Sequence, residues 1–275
     1  MISVGITPFA NDIYTFAALY QQKVKAHLVY DFSFLDIEQL NERSLKSLGD
    51  VNKVSFSTFG NILNDYTLLP VGSCLGMDNG PKIVASKKIN LQDLKSLRLG
   101  IPGKKTTAYM LYKSLCPQAK LEIIFPYDNL IDALAAGECD AALLIHESRF
   151  QLKEFDLREI ADLFDLWTNK TSAPLPLGGV VAKRSLGDKL LSKITDDFSR
   201  SLAYSRTKPD EAIDLVLEFS NQKSKELAQK NLDIYVTDES YQLSSKGIRA
   251  IQSLLDMGSQ TGLLPKPISN WLFES

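Results

Sequence analysis

Residues Leu134 to Phe150, LAAGECDAALLIHESRF, restrict the folds open to this chain more than any other stretch. Ile131-Asp132-Ala133-Leu134-Ala135-Ala136 is rich in strong helix formers, and Gly137 is a natural helix stop. Ala141 to Ile145 follows as a short apolar run without charge. A run of that length just after a helix reads as a buried strand of a parallel sheet. Polarity then returns at His146-Glu147-Ser148-Arg149. Open α/β sheets bind ligands beyond the carboxyl ends of their strands, which puts His146 on the lip of a crevice.

The remaining chain repeats this alternation. Ile2–Ile6, Ala26–Phe32, Val51–Phe56, Lys82–Ser86, Leu97–Ile101, Leu121–Phe125 and Leu177–Ala182 read as extended. Helices are expected over Ile13–Gln21, from Asp36 as N-cap to Gly49, and over Ala108–Leu115. Asn11 or Asp12 is the expected cap of the first of these. Leu157–Leu166 reads as helix and turn, Gly72–Pro81 as a Gly-rich loop, and the chain after Asp188 as mostly helical.

Two stretches share an order of elements. Val4-Gly5-Ile6-Thr7-Pro8 opens one, and Leu99-Gly100-Ile101-Pro102-Gly103 opens the other. Each passes from a strand through a Pro-containing loop to a helix with an early tyrosine, Tyr14 or Tyr109. The order predicts an α/β, two-lobed fold like that of type II periplasmic binding proteins, with an interlobe cleft. Residues 1–94 plus 190–275 form the expected first lobe, and residues 95–189 the second. Strand ends of both lobes would face the cleft, which suits a small ligand.

Composition excludes several classes. A formal net charge of −2 argues against a broad nucleic-acid footprint. Three scattered cysteines form neither a disulfide framework nor a CxxC motif, which fits a reduced, cytoplasmic compartment. Two histidines and no Cys/His cluster leave no expected metal site. The opening residues lack the basic and long apolar regions of a signal peptide, and no apolar run is long enough to span a membrane.

Each candidate site residue has two readings on the residues alone. His146 is either a general base, suited by an ordinary pKa of about 6.5, or a hydrogen-bonded histidine at a strand end. Glu147 and Arg149 point to the other face of an extended strand and read as an ion pair. Thr106 and Thr107 at a helix start either bind an anion or simply cap the helix. Lys53 and Ser55 alternate along one strand face and either reach the cleft or serve the structure. Cys74 has no histidine near it in sequence and is not read as a nucleophile.

Five segments together carry a resemblance. IHESRF (145–150), PGKKTTAY (102–109), KVS (53–55), PLPLGGVVAKR (174–184) and TPFANDIY (7–14) resemble the 1,4-dihydroxy-6-naphthoate synthases of the futalosine route to menaquinone. The resemblance implies a lyase that converts cyclic dehypoxanthine futalosine to 1,4-dihydroxy-6-naphthoate and dihydroxyacetone, without metal or organic cofactor. It implies His146 as the catalytic base. Lys53, Val54, Ser55, Thr106 and Thr107 are the implied substrate contacts, with Asn11 and Asp12 as additional candidates, and the implied partner is a small molecule bearing a carboxylate. The opening loop departs from the family's Pro-Cys-Pro-Asn-Asp, reading Pro8-Phe9-Ala10-Asn11-Asp12 here. Two competing expectations are a chorismate dehydratase of the same pathway and a non-catalytic binding protein of the same fold.

Overall fold

The computed structural model describes residues 1–78, 80–145, 148, 152–220 and 224–274. Two mixed sheets organise them. The first contains β1 (Ile2–Ile6), β2 (Tyr30–Phe34), β3 (Val51–Ser55), β4 (Tyr66–Leu68), β5 (Cys74–Gly76) and β11 (Leu175–Lys183). Its order is β2-β1-β3-β11-β4, with β5 also paired to β11. The second contains β6 (Lys82–Ala85), β7 (Arg98–Ile101), β8 (Leu121–Ile124), β9 (Ala141–Leu144) and β10 (Arg158–Asp162), in the order β10-β6-β9-β7-β8.

Each sheet has a parallel heart built by βαβ crossovers. In the first, β1 pairs in parallel with β2 and β3, through α1 (Ala10–Tyr20) and α2 (Ile37–Leu45). In the second, β7 pairs in parallel with β8 and β9, through α4 (Thr107–Leu115) and α5 (Leu130–Ala135). The organising stretch is thus helix, stop and buried strand. Gly137 ends α5 with φ of 73°, a left-handed conformation that glycine adopts at little cost. The strand after it is not purely parallel, because β9 pairs antiparallel with β6 on its other side.

The chain changes sheets between β5 and β6 and again between β10 and β11. Lys82–Ala85 therefore belongs to the second sheet and Leu175–Lys183 to the first, across the expected limits at residues 94 and 189. A core shared by both sheets fixes them together. Val54, Phe56 and Leu68 from the first side join Ile83, Leu99, Ile101 and Leu143 from the second. Helices α4 and α11 (Ser245–Gln260) contribute much of this core. On the outer face of the first sheet, α1 packs against α7 (Asp188–Thr207) and α8 (Pro209–Phe219).

Some local expectations need correction. Residues 157–166 are helix only from Leu163 on, because Arg158–Asp162 is an edge strand antiparallel to β6. Its charges hide the pattern. Lys82 Nζ meets both Glu159 Oε2 and Asp162 Oδ2 at 2.6 Å, so cross-strand ion pairs hold a strand that carries little apolar signal. Asp162 then caps α6 (Leu163–Thr171) by accepting from Phe164 N–H. The Gly-rich loop contains the short strand β5, and the N-cap of α1 is Phe9 rather than Asn11 or Asp12. The expected cap Asp36 does cap α2, in a reciprocal capping box with Gln39.

Candidate active site

The strand ends of both sheets open onto one cleft of about 680 Å³, part of it open to solvent. From the first sheet come Thr7 and Phe9 after β1, the run Lys53, Val54, Ser55 on β3, and Leu177 and Gly178 on β11. From the second come Thr106, Thr107 and Ala108 at the start of α4, and Ile145 after β9. Asn11 and Asp12 line it from the first turn of α1. All the expected site residues that lie within the described part of the chain therefore share this cleft.

Their roles are not equal. Lys53 Nζ lies 2.9 Å from Asp12 Oδ1 and donates to the Gly72 carbonyl at 2.9 Å. Asp12 Oδ2 accepts from the Thr7 hydroxyl at 2.6 Å and the Thr7 N–H at 3.3 Å, and Oδ1 accepts from Asn11 Nδ2 at 2.8 Å. Asp12 sits in the first turn of α1, where the helix dipole also favours a negative charge. These bonds make Lys53, Asp12 and Asn11 one buried polar network beneath the cleft. A buried charge needs such partners, because desolvation alone costs several kcal/mol or more.

Thr106 is the N-cap of α4. Its hydroxyl accepts from Tyr109 N–H at 3.1 Å and donates to the Gly103 carbonyl at 2.9 Å. Thr107 donates its hydroxyl to the Leu177 carbonyl at 2.6 Å and accepts from Ser57 N–H at 3.4 Å. Both hydroxyls therefore serve protein partners first. What α4 still offers the cleft is its N-terminus. The backbone N–H groups of Thr107 and Ala108 belong to the first turn, where no intrahelical carbonyl is available. Such groups bind carboxylates and phosphates.

Ser55 is held differently. Asn41, on α2, accepts from Ser55 N–H at 3.0 Å and donates through Nδ2 to Ser55 Oγ at 3.2 Å. Nothing in the sequence marks Asn41, because an asparagine inside a helix reads as a surface residue. Its burial is complete. Ile37 and Leu177 are further cleft residues that the sequence hides, since apolar residues near strand ends read as core.

His146, Glu147 and Arg149 lie outside the described residues. Ile145 lines the cleft, and the buried Ser148 donates its hydroxyl to the Ile145 carbonyl at 2.6 Å.

Two contacts join elements of the two sheets at or beside cleft-lining residues. Lys105, in the loop before α4, meets Glu38 Oε1 at 3.3 Å and Glu42 Oε1 at 3.0 Å on α2. Gly103 permits that approach. A Cβ there would lie 2.9 Å from the Glu38 carboxyl carbon, at a φ of 143° that side chains rarely adopt. The cleft residue Phe9 meets Tyr127 edge to face at 5.5 Å.

One group among the described residues has metal-like spacing, His27 with Asp196 and Asp197. A guanidinium already occupies it. Arg200 bonds to both carboxylates, and Asp197 also accepts from Tyr30 and the His27 N–H. The group ties the chain before β2 to α7 and does not line the cleft.

A family model described as menaquinone biosynthesis matches residues 2–260. The 1,4-dihydroxy-6-naphtoate synthase of Thermus thermophilus is 33% identical over 270 residues, covering 97% of this chain and 98% of that protein. The synthase of Streptomyces coelicolor is 30% identical over 269 residues, with coverage of 96% and 95%. A crystal structure of an Archaeoglobus fulgidus protein superposes with a TM-score of 0.90 at 30% identity, covering 96% of this chain and 98% of that one. The fold alone is shared with a Candida albicans protein described as having the generic periplasmic-binding-protein fold. That match has a TM-score of 0.71 at 15% identity and covers 98% and 92% of the two chains. No helix among the described residues is long and apolar enough to cross a membrane.

Proposed function

Because the chain belongs to the menaquinone biosynthesis family of 1,4-dihydroxy-6-naphthoate synthases, we propose that it converts cyclic dehypoxanthine futalosine to 1,4-dihydroxy-6-naphthoate and dihydroxyacetone in the cytoplasm. The observation that carries this reading is the make-up of the cleft. Phe9, Ile37, Val54, Ala108, Ile145 and Leu177 supply apolar surface of the kind that receives a fused ring. The N-terminus of α4 supplies N–H donors for the ring's carboxylate, with Thr106 and Thr107 holding that turn in place.

Chemistry on this ligand requires carbon–carbon cleavage and loss of protons, and aromatisation drives both. A base must take the first proton. His146 follows Ile145 directly, so the one histidine in this part of the chain is covalently next to the cleft wall. We assign it as that base. Lys53 keeps the floor of the site charged but neutral in sum, through its pair with Asp12. In this reading Lys53 acts by holding the floor rather than by gripping the carboxylate. Two lobes give the ligand two walls, so binding favours the bridged form of the mouth.

The test is incubation of purified protein with cyclic dehypoxanthine futalosine, followed by mass detection of the naphthoate and of dihydroxyacetone. Formation of both products supports the reading. An unconsumed precursor overturns it.

A further inference from the structure

The arrangement of Asn41 and Ser55 fixes a hydrogen atom that no coordinate shows. The backbone N–H of Ser55 is a donor only, and it points at one end of the Asn41 amide, 3.0 Å away. That end must be the oxygen. The amide nitrogen therefore faces Ser55 Oγ at 3.2 Å, and its other hydrogen faces the Glu38 carboxylate at 3.5 Å. A carboxylate accepts only, so both neighbours demand the same amide orientation. Ser55 Oγ must then accept from Asn41, and its own hydrogen must point elsewhere. Among the described residues no group takes that hydrogen. Ser55 lines the cleft, so the cleft is where it points.

We propose that Asn41 is a positioning residue that sets Ser55 as a hydrogen-bond donor toward an oxygen of the substrate carboxylate. Asn41 is wholly buried on α2 and touches no ligand itself. Its amide does for Ser55 what a fixed partner does for any rotor. It removes the alternative in which the hydroxyl donates inward and offers the ligand a lone pair. An anion would be repelled by that lone pair and is attracted by the hydrogen. Ser55 stands close to the α4 N-terminus, since Ser57 N–H reaches Thr107 Oγ1 two residues on. Ser55 and the first turn of α4 thus converge on one acceptor from opposite sheets.

The proposal rests on the function argued above, and the experiment separates the two. Affinity for 1,4-dihydroxy-6-naphthoate is measured by calorimetry for the wild type, Ser55→Ala, Asn41→Ala and the double variant, with thermal melting as a check of folding. Ser55→Ala is expected to weaken binding by about 10- to 100-fold, the range for a hydrogen bond to a charged group. Asn41→Ala is expected to lose a similar factor. In the Ser55→Ala background it is expected to lose little more, because its effect runs through Ser55. In turnover, Asn41→Ala raises KM and leaves kcat within about threefold, as removal of uniform binding does. A merely structural asparagine would lower the folded fraction and act equally in both backgrounds. If Asn41→Ala does not fold, Asn41→Leu, which keeps most of the volume, takes its place in the cycle. Unchanged affinity in Ser55→Ala overturns the proposal without any Asn41 variant, and additive losses overturn it too. Wild-type protein that ignores the naphthoate overturns the functional reading and this proposal together.

Discussion

Lys53 and Asp12 form an ion pair at 2.9 Å, with 8% and 2% of their side chains exposed, directly beneath the cleft. They join β3 to the first turn of α1. A buried pair broken on one side leaves an uncompensated charge, which costs about 3–5 kcal/mol. Lys53→Ala is therefore expected to lower unfolding stability by that amount, read by urea denaturation. Asp12→Asn should cost a similar amount, because it leaves the Lys53 charge uncompensated and turns an amide NH2 toward donors, whichever end its oxygen takes. A Lys53→Ala protein of wild-type stability but weak naphthoate affinity would make Lys53 a ligand contact instead.

Thr106 and Thr107 should separate in the same way. Loss of the Thr106 cap costs about 0.5–2 kcal/mol of stability. Thr106→Val is expected to melt earlier and bind more weakly, because the proposed anion site is the turn that it caps. Thr106→Ser restores both. Thr107→Val keeps the cap and breaks the hydroxyl's two bonds between the sheets, to the Leu177 carbonyl and from Ser57 N–H. Its signature is a larger loss in affinity than in melting temperature. Calorimetry of both variants checks the order.

Lys105 ties the cleft mouth to Glu38 and Glu42, and the sign of its pH dependence follows from the pKa directions. The Lys105 hydrogen bond holds the Glu42 carboxyl below its usual value. A lowered carboxyl contributes above its ordinary pKa, and the contribution fades as pH falls through the lowered folded value. Burial alone would lower the Lys105 pKa, but the two glutamates outweigh it and raise it. A raised amine contributes below its ordinary pKa and loses its effect as pH rises through the raised value. The bridge is thus present around neutrality and lost at acid and strongly alkaline pH. Lys105→Ala is expected to weaken naphthoate binding by at most about fivefold, an exposed-pair effect that salt screens. Small-angle scattering with the naphthoate should show less compaction in this variant than in the wild type. Equal compaction would remove the bridge from closure.

What the sequence disclosed follows from where the physics is local. Gly137, Asp36 and the apolar run Ala141–Leu144 announce their roles through backbone preference and burial, so the crossovers were legible. So was the gathering of Lys53, Ser55, Thr106 and Thr107 at strand ends. Arg158–Asp162 was not, because its stability lies in pairing with Lys82, 80 residues from Asp162. Asn41 was invisible for the same reason, since its partner lies 14 residues on, on another element. The two threonine hydroxyls were legible as candidates, but their commitment to Gly103 and Leu177 depends on tertiary packing.

His146 carries the remaining prediction. Proton removal from the precursor at neutral pH calls for a group that is largely unprotonated yet still basic. Histidine is the side chain whose ordinary pKa meets that condition. The other histidine, His27, donates from Nε2 to Asp196 Oδ2 on α7, in a cluster that does not line the cleft. His146→Ala is therefore expected to lower turnover by about 10²–10⁴-fold, the usual contribution of a positioned general base. Naphthoate affinity should change far less, because the proposed anion site lies on α4. The wild-type pH–rate profile should rise through the ordinary imidazole range of about 6–7 as the base loses its proton, and the variant should lack that limb. Single-turnover kinetics across pH 5–9 checks both. Near-normal turnover in a folded His146→Ala protein would move the base to another group, and Asp12 is the next carboxylate at the cleft, though Lys53 and Thr7 already occupy its oxygens.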